Sequence, residues 1–210
     1  MRKPYKMQGG EMVLTVAFDQ GANHRFRSEV ERAVRDAICS HPFLGCEVNQ
    51  PQRFAVRVNI GPKLTTSIKH DDYHQRAEVV LNLDEFQLYE PHLDESSICF
   101  DSDPLNRKLP NLLTHEFGHF IDACLSQTFR YCTALRPSDR RHLVRLYHLW
   151  DSYIDGRLGS LAPYALEERI GEAAGVSGLE RSLVEKAWQG GFKTYPELVD
   201  AVSEGGSRGG

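Results

Sequence analysis

The spacing best suited to chemistry in this chain is His115-Glu116-Phe117-Gly118-His119, an HExxH pattern. Residues four apart on a helix share a face, with about 5–6 Å between Cβ atoms. Two imidazoles so placed can meet one metal ion at about 2.0–2.1 Å each. Glu116 then stands beside the ion, where it can take a proton from a bound water. The cofactor this pattern implies is Zn2+. Leu109, Leu112, Leu113, Phe117, Phe120, Ile121, Cys124 and Leu125 make the surrounding helix apolar over most of its circumference, which predicts burial. Buried imidazoles and carboxylates need partners, and zinc supplies one. The competing reading is two core histidines bonded to backbone, with Glu116 in a salt bridge.

A catalytic zinc usually takes three protein ligands and keeps a fourth position for water. Asp151 and Asp155, in Trp150-Asp-Ser-Tyr-Ile-Asp-Gly-Arg157, lie four apart on the next expected helix. One can bind the metal while the other accepts from the free ring nitrogen of a ligand histidine. A helical wheel sets Asp151 beside the apolar arc and Asp155 further out, which favours Asp151. Gly156 permits close backbone approach beside Asp155, and both stay open as metal ligands. Both could also be solvated carboxylates paired with Arg140, Arg145 or Arg157. Asp122 is too short to reach back around the metal, and is expected to accept from a ligand histidine or to form a salt bridge. Glu168 and Glu172 are outside candidates, expected on a solvated face. Cys124 faces away from the histidines, and with Cys132 is a weak candidate. For stabilising a developing oxyanion, Tyr147 and Tyr153 are the catalytic candidates, followed by His142, His148 and Arg157.

The elements that must position these groups can be read from periodicity and caps. Residues 1–11 predict a loose start and Met12–Phe18 a first strand. Ser28 with Glu31 forms a capping box opening a helix to about Ser40, with Val30, Ala33, Val34, Ala37 and Ile38 as its stripe. Phe54, Val56, Val58 and Ile60 alternate with polar residues and predict a half-buried strand over Arg53–Ile60. Ala77–Leu83 predicts a second, and Ser97–Phe100 a short third. Residues 61–76, with His70-Asp71-Asp72-Tyr73-His74, read as a solvated loop rather than a second metal site. Asp101-Ser-Asp-Pro104 turns the chain into the metal helix.

Beyond it, Ser138 caps a helix running to about Asp155 and stopped by Gly156. Its apolar arc is Leu143, Leu146, Tyr147, Leu149, Trp150, Tyr153 and Ile154. A helix over about Pro163–Ala174, closed by Gly175, follows. A capping box, Ser177 with Glu180, opens the next, to Gln189 and Gly190-Gly191, and Thr194 with Glu197 opens a short last one. Strands before residue 101 and helices after it predict an α+β fold. The expected domain is residues 1–203: sheet and metal helix over 1–135, helical part with the third ligand over 136–203. Residues 204–210 form a disordered tail.

Composition limits the partners. The 210 residues are 40% hydrophobic and 26% charged, ordinary globular values. A net charge of −4 gives no general attraction to nucleic acid or an acidic membrane surface. No stretch reads as a signal peptide or membrane span. Five cysteines, an odd number without a CxxC pair, predict reduced thiols and a cytoplasmic protein.

His115-Glu-Phe-Gly-His119 on a buried helix, with a carboxylate on the next helix, resembles the zincin metallopeptidases. The string His-Glu-Phe-Gly-His-x-x-Asp, ending at Asp122, is similar to the metal helix of lethal-factor-type toxin proteases in the gluzincin branch. That branch's ligand carboxylate, followed four residues later by an orienting aspartate, matches Asp151 and Asp155. The usual third ligand is glutamate and here would be aspartate. The resemblance covers about residues 109–157. It implies a zincin-like fold, with an N-terminal helix and small mixed sheet packed on the HExxH helix and a helical C-terminal part. It also implies zinc-dependent hydrolysis of a peptide or protein substrate, with Glu116 as general base. A metzincin is excluded, because no Gly-x-x-His follows His119. The alternative is a non-catalytic binding or regulatory module that keeps zinc for folding. Zinc proteolysis on DNA ranks last, given the acidic balance.

Overall fold

The computed structural model describes the backbone of residues 2–7, 10–18, 24–45, 53–60, 66–71, 76–81, 104–124, 126 and 128–204. Side chains are described at 28, 31–38, 40–43, 110–123, 126 and 128–203. The chain divides into two compact units, Met1–His41 with Asn49–Phe120, and Pro42–Val48 with Ile121–Gly210.

In the first unit the backbone traces β1 (Arg2–Met7), β2 (Gly10–Phe18), α1 (His24–Cys39), β3 (Arg53–Ile60), β4 (Thr66–Asp71) and β5 (Arg76–Leu81). Strand order is β1-β2-β3-β5-β4. The outer pairs are antiparallel and the inner two parallel, with Val13 beside Ala55 and Val58 beside Val79. Strand β3 falls where alternation predicts it. The loose start is instead β1, and part of the expected 61–76 loop is β4, because cross-strand pairing overrides a weak local pattern. Residues 72–75 and the Ser97–Phe100 segment lie outside the described residues. Helix α1 begins four residues before Ser28, which therefore sits inside it and caps nothing.

The α+β expectation needs correction. The part of the chain described to its side chains is 76% helical, 3-10 turns included, and contains no strand. A zincin-like mixed sheet packed on the HExxH helix is therefore not supported. Alternation such as Phe54-Val56-Val58-Ile60 shows that a strand has two unlike faces, but not which element covers the apolar one.

Helix α2 (Pro104–Cys124) carries the HExxH residues. Pro104 opens it, at a position where a missing N–H costs nothing. Pro110 lies inside it and cannot donate to the preceding turn. The Thr114 hydroxyl donates to the Pro110 carbonyl at 2.8 Å. His41, just beyond α1, donates Nε2–H to the Thr114 carbonyl at 2.7 Å. Leu113, Phe117, Phe120 and Ile121 are buried, as the apolar circumference predicts.

The second unit holds α3 (Arg140–Leu158), α4 (Leu166–Ser177), α5 (Arg181–Trp188) and α6 (Tyr195–Glu204), with 3-10 turns at Thr133–Leu135 and Gly159–Leu161. Helix α3 buries Leu146, Leu149, Trp150, Tyr153, Ile154 and Leu158, most of the predicted arc. Phe129 stacks on Trp150 at 5.2 Å and on Tyr153 at 5.7 Å between ring centroids. Tyr131 packs on Tyr195 at 4.8 Å, and the Phe129 carbonyl accepts from the Tyr195 amide at 2.6 Å. Each such ring contributes roughly 1.5–3 kcal/mol by burial.

Helix ends depart from the expected caps. Asp139, not Ser138, caps α3, accepting from the His142 amide at 2.9 Å. That hydrogen bond, with the neighbouring positive charges, holds the exposed Asp139 carboxyl below its ordinary pKa. Gly156 does not stop α3, which continues to Leu158 and ends at Gly159, φ 59°. Helix α4 ends at Gly178, φ 64°, not Gly175. Ser177 is its last residue and donates to Ala173 rather than capping α5. The Thr194–Glu197 signal does cap α6. Thr194 Oγ1 accepts from the Glu197 amide at 3.4 Å, and the Glu197 carboxylate reaches back to the Lys193 amide at 2.8 Å.

Candidate metal centre

The two imidazoles of α2 converge. His115 and His119 are 3% and 8% exposed, and their Nε2 atoms stand 3.2 Å apart. Their rings meet edge to face, with centroids 4.8 Å apart. Two nitrogens bound tetrahedrally to one zinc at 2.0–2.1 Å would be about 3.3 Å apart. The pair therefore has the separation a shared ion requires. The same distance also suits one N–H···N hydrogen bond between neutral rings, so at least one facing nitrogen is an unprotonated acceptor. Glu116, between them in sequence, is half-buried and has no ion-pair partner among the described residues.

The second unit contains the carboxylates. Asp122, 1% exposed, receives Arg157 Nη1 on both oxygens at 2.8 Å. This is the salt-bridge alternative of the two read for it. Arg157 also lies 3.6 Å over the Phe43 ring and 4.9 Å over that of Tyr153. Asp155 is fully buried and accepts from Arg169 Nε at 2.6 Å. Asp151, one turn earlier, has a side chain 25% exposed, with Oδ2 3.5 Å from Arg169 Nη1. The order of burial expected from the wheel is thus reversed, since Asp155 and not Asp151 is the deeper of the two. The reason is Arg169, which α4 delivers to Asp155 and which a wheel of α3 alone cannot include.

The remaining candidates divide by burial. Tyr153 is core, stacked on Phe129, and burial first, then the Asp122 charge, raises its pKa against the opposing pull of Arg157. Tyr147 is 42% exposed, with Arg136 5.8 Å over its ring. His142 pairs with Asp139 at 3.0 Å, and His148 is half-buried. Glu168 accepts from the Ala165 amide at the start of α4, and Glu172 pairs with Arg169 at 3.1 Å. Cys132 is half-buried, and the Cys124 side chain lies outside the described residues.

Two residues escaped sequence reading. His41, given no role there, braces the metal helix through the Thr114 carbonyl. Arg169 lies in a file with Ala165, Ala173 and Ser177, spaced by four. Small neighbours on both sides leave room for a buried guanidinium, a signal that was present but unweighed. Burial lowers its pKa, but the charges of Asp151 and Asp155 and the Asp155 hydrogen bond outweigh that and raise it overall.

No described helix is long and apolar enough to cross a membrane. Comparison with family models, curated proteins and solved structures found no match to this chain.

Proposed function

We propose that this chain is a zinc-dependent metallopeptidase, with His115 and His119 holding the ion and Glu116 as general base. The observation that carries the reading is the pair of buried imidazole nitrogens 3.2 Å apart on the HExxH helix. The candidate aspartates of the second unit are engaged by arginines. Asp122 has both oxygens on Arg157, and Asp155 is sealed against Arg169.

When bound, zinc supplies Lewis acidity and makes a water acidic enough to attack near neutral pH. The protein's own part is to hold the rings in one orientation and to handle protons. The Glu116 carboxylate accepts the proton of the attacking water and returns it to the leaving amine. A proton carrier of this kind must not be locked in a salt bridge, and among the described residues Glu116 has none. The substrate is a peptide or protein segment. The odd, unpatterned cysteines favour the cytoplasm.

The deciding experiment is Glu116→Gln. Zinc content should match the parent, while cleavage of a peptide library should fall by two or more orders of magnitude. Undiminished cleavage by the variant would overturn the enzymatic reading. A protein that binds zinc tightly but cleaves nothing, in parent or variant, would leave the zinc-stabilised binding module.

A further inference from the structure

We propose that Arg145 anchors an oxyanion-binding site on α3, one that takes the phosphate or carboxylate group of a ligand. The site stands apart from the zinc reading. Arg145 and Arg169 are almost equally deep, at 3% and 4% exposed. Arg169 is matched by Asp151, Asp155 and Glu172, and Arg157 and Arg181 likewise hold carboxylates. Arg145 differs. Its Nε is sealed from solvent without a hydrogen-bond partner. Among the described residues no acid pairs with its guanidinium and no aromatic ring lies under it. The nearest acid before it in the chain, Asp139, is committed to His142. The nearest after it, Asp151, faces Arg169.

A guanidinium cannot shed its proton to escape such a setting, and a buried charge left uncompensated is strongly destabilising. An anion from outside the chain would offset that cost. Arg141, Arg145 and His148 lie on one face of α3, spaced by four and three, and are exposed, buried and half-buried in turn. Side chains on a helix lean toward its N-terminus, which carries Arg145 over the turn of Arg141. Guanidinium groups are donors only, and their fork matches two oxygens of a carboxylate or a phosphate alike. Residues 140–148 hold three arginines and two histidines but no acid, in a chain whose net charge is −4. The local field therefore favours an anion where the whole chain does not.

Thermal unfolding of the full chain tests the site, in chloride buffer of constant ionic strength with inorganic phosphate or acetate added. In the parent the effective anion should raise Tm saturably, by about 3–6 °C at tenfold excess over its Kd. Arg145→Met replaces the buried cation by apolar volume. It should match or exceed the parent's Tm without added anion, and lose the saturable rise. Arg145→Lys keeps the charge without the fork and should weaken the anion several-fold. Arg141→Gln, at an exposed position, should also weaken it while leaving the Tm without added anion unchanged. A larger rise with phosphate assigns the ligand group to a phosphate, and a larger rise with acetate assigns it to a carboxylate. Equal rises in the parent and Arg145→Met, or no saturable rise with either anion, overturn the site. So does an Arg145→Met protein that fails to fold or melts several degrees below the parent without added anion, since the arginine then has a partner inside the protein.

Discussion

The second unit holds two arginine–carboxylate assemblies with opposite degrees of closure. Arg157 serves one buried acid, filling both oxygens of Asp122, and is stacked against Phe43 and Tyr153. Arg169 serves Asp155 closely but stretches to Asp151 and Glu172. The first is saturated and can only hold structure. The second shares one guanidinium among three acids, of which Asp151 and Glu172 are partly exposed. The difference teaches that an arginine can seal one buried acid or be shared among several at different depths.

The sharpest break comes from removing one member of each buried pair. Arg157→Met strands Asp122, and Asp155→Asn strands much of the charge on Arg169. Each should cost about 3–5 kcal/mol in urea unfolding. If Asp155→Asn proves nearly neutral, the second assembly is looser than its 2.6 Å bond implies. Gly156 tests both pairs together, since it lies between Asp155 and Arg157. A Cβ there would stand 1.9 Å from the Trp188 carbonyl oxygen at the end of α5. Gly156→Ala should therefore cost about 1–3 kcal/mol by forcing backbone apart, read as a lowered melting temperature.

Alkaline titration distinguishes the closed assembly more gently. The Tyr153 pKa is raised in the folded protein, so its contribution is complete below about pH 10, the ordinary tyrosine value. It is lost as pH rises through the higher folded value. Stability should fall in that range, and less steeply for Tyr153→Phe. Asp151→Asn should have the smallest effect on folding, within about 1 kcal/mol for a partly exposed pair. A stability loss matching that of Asp155→Asn would erase the contrast.

The metal helix was legible because a four-residue histidine spacing and a nearly continuous apolar surround report on one element alone. The α3 arc was legible for the same reason, from Leu146 through Ile154. What failed depended on a second element. Gly156 read as a stop because glycine favours helix ends, but the close approach of α5 is what requires it. Asp155 read as outward because α3 by itself gives no sign of Arg169. Ser138 lost the capping role to Asp139 one residue later, a choice between two good caps that local sequence does not decide. The sheet-on-helix arrangement failed at a larger scale, since alternating strands do not name their cover.

Helix α2 runs without interruption across the line between the two compact units, with Phe120 on one side and Ile121 on the other. Severing the chain there to prepare the units as separate fragments would open a helix in mid-course. Up to four carbonyls on one piece and four amides on the other would lose their partners, and the stumps would fray toward His119 and Asp122. Fragments intended for separate study are therefore better cut outside this helix, so that it passes whole into one of them.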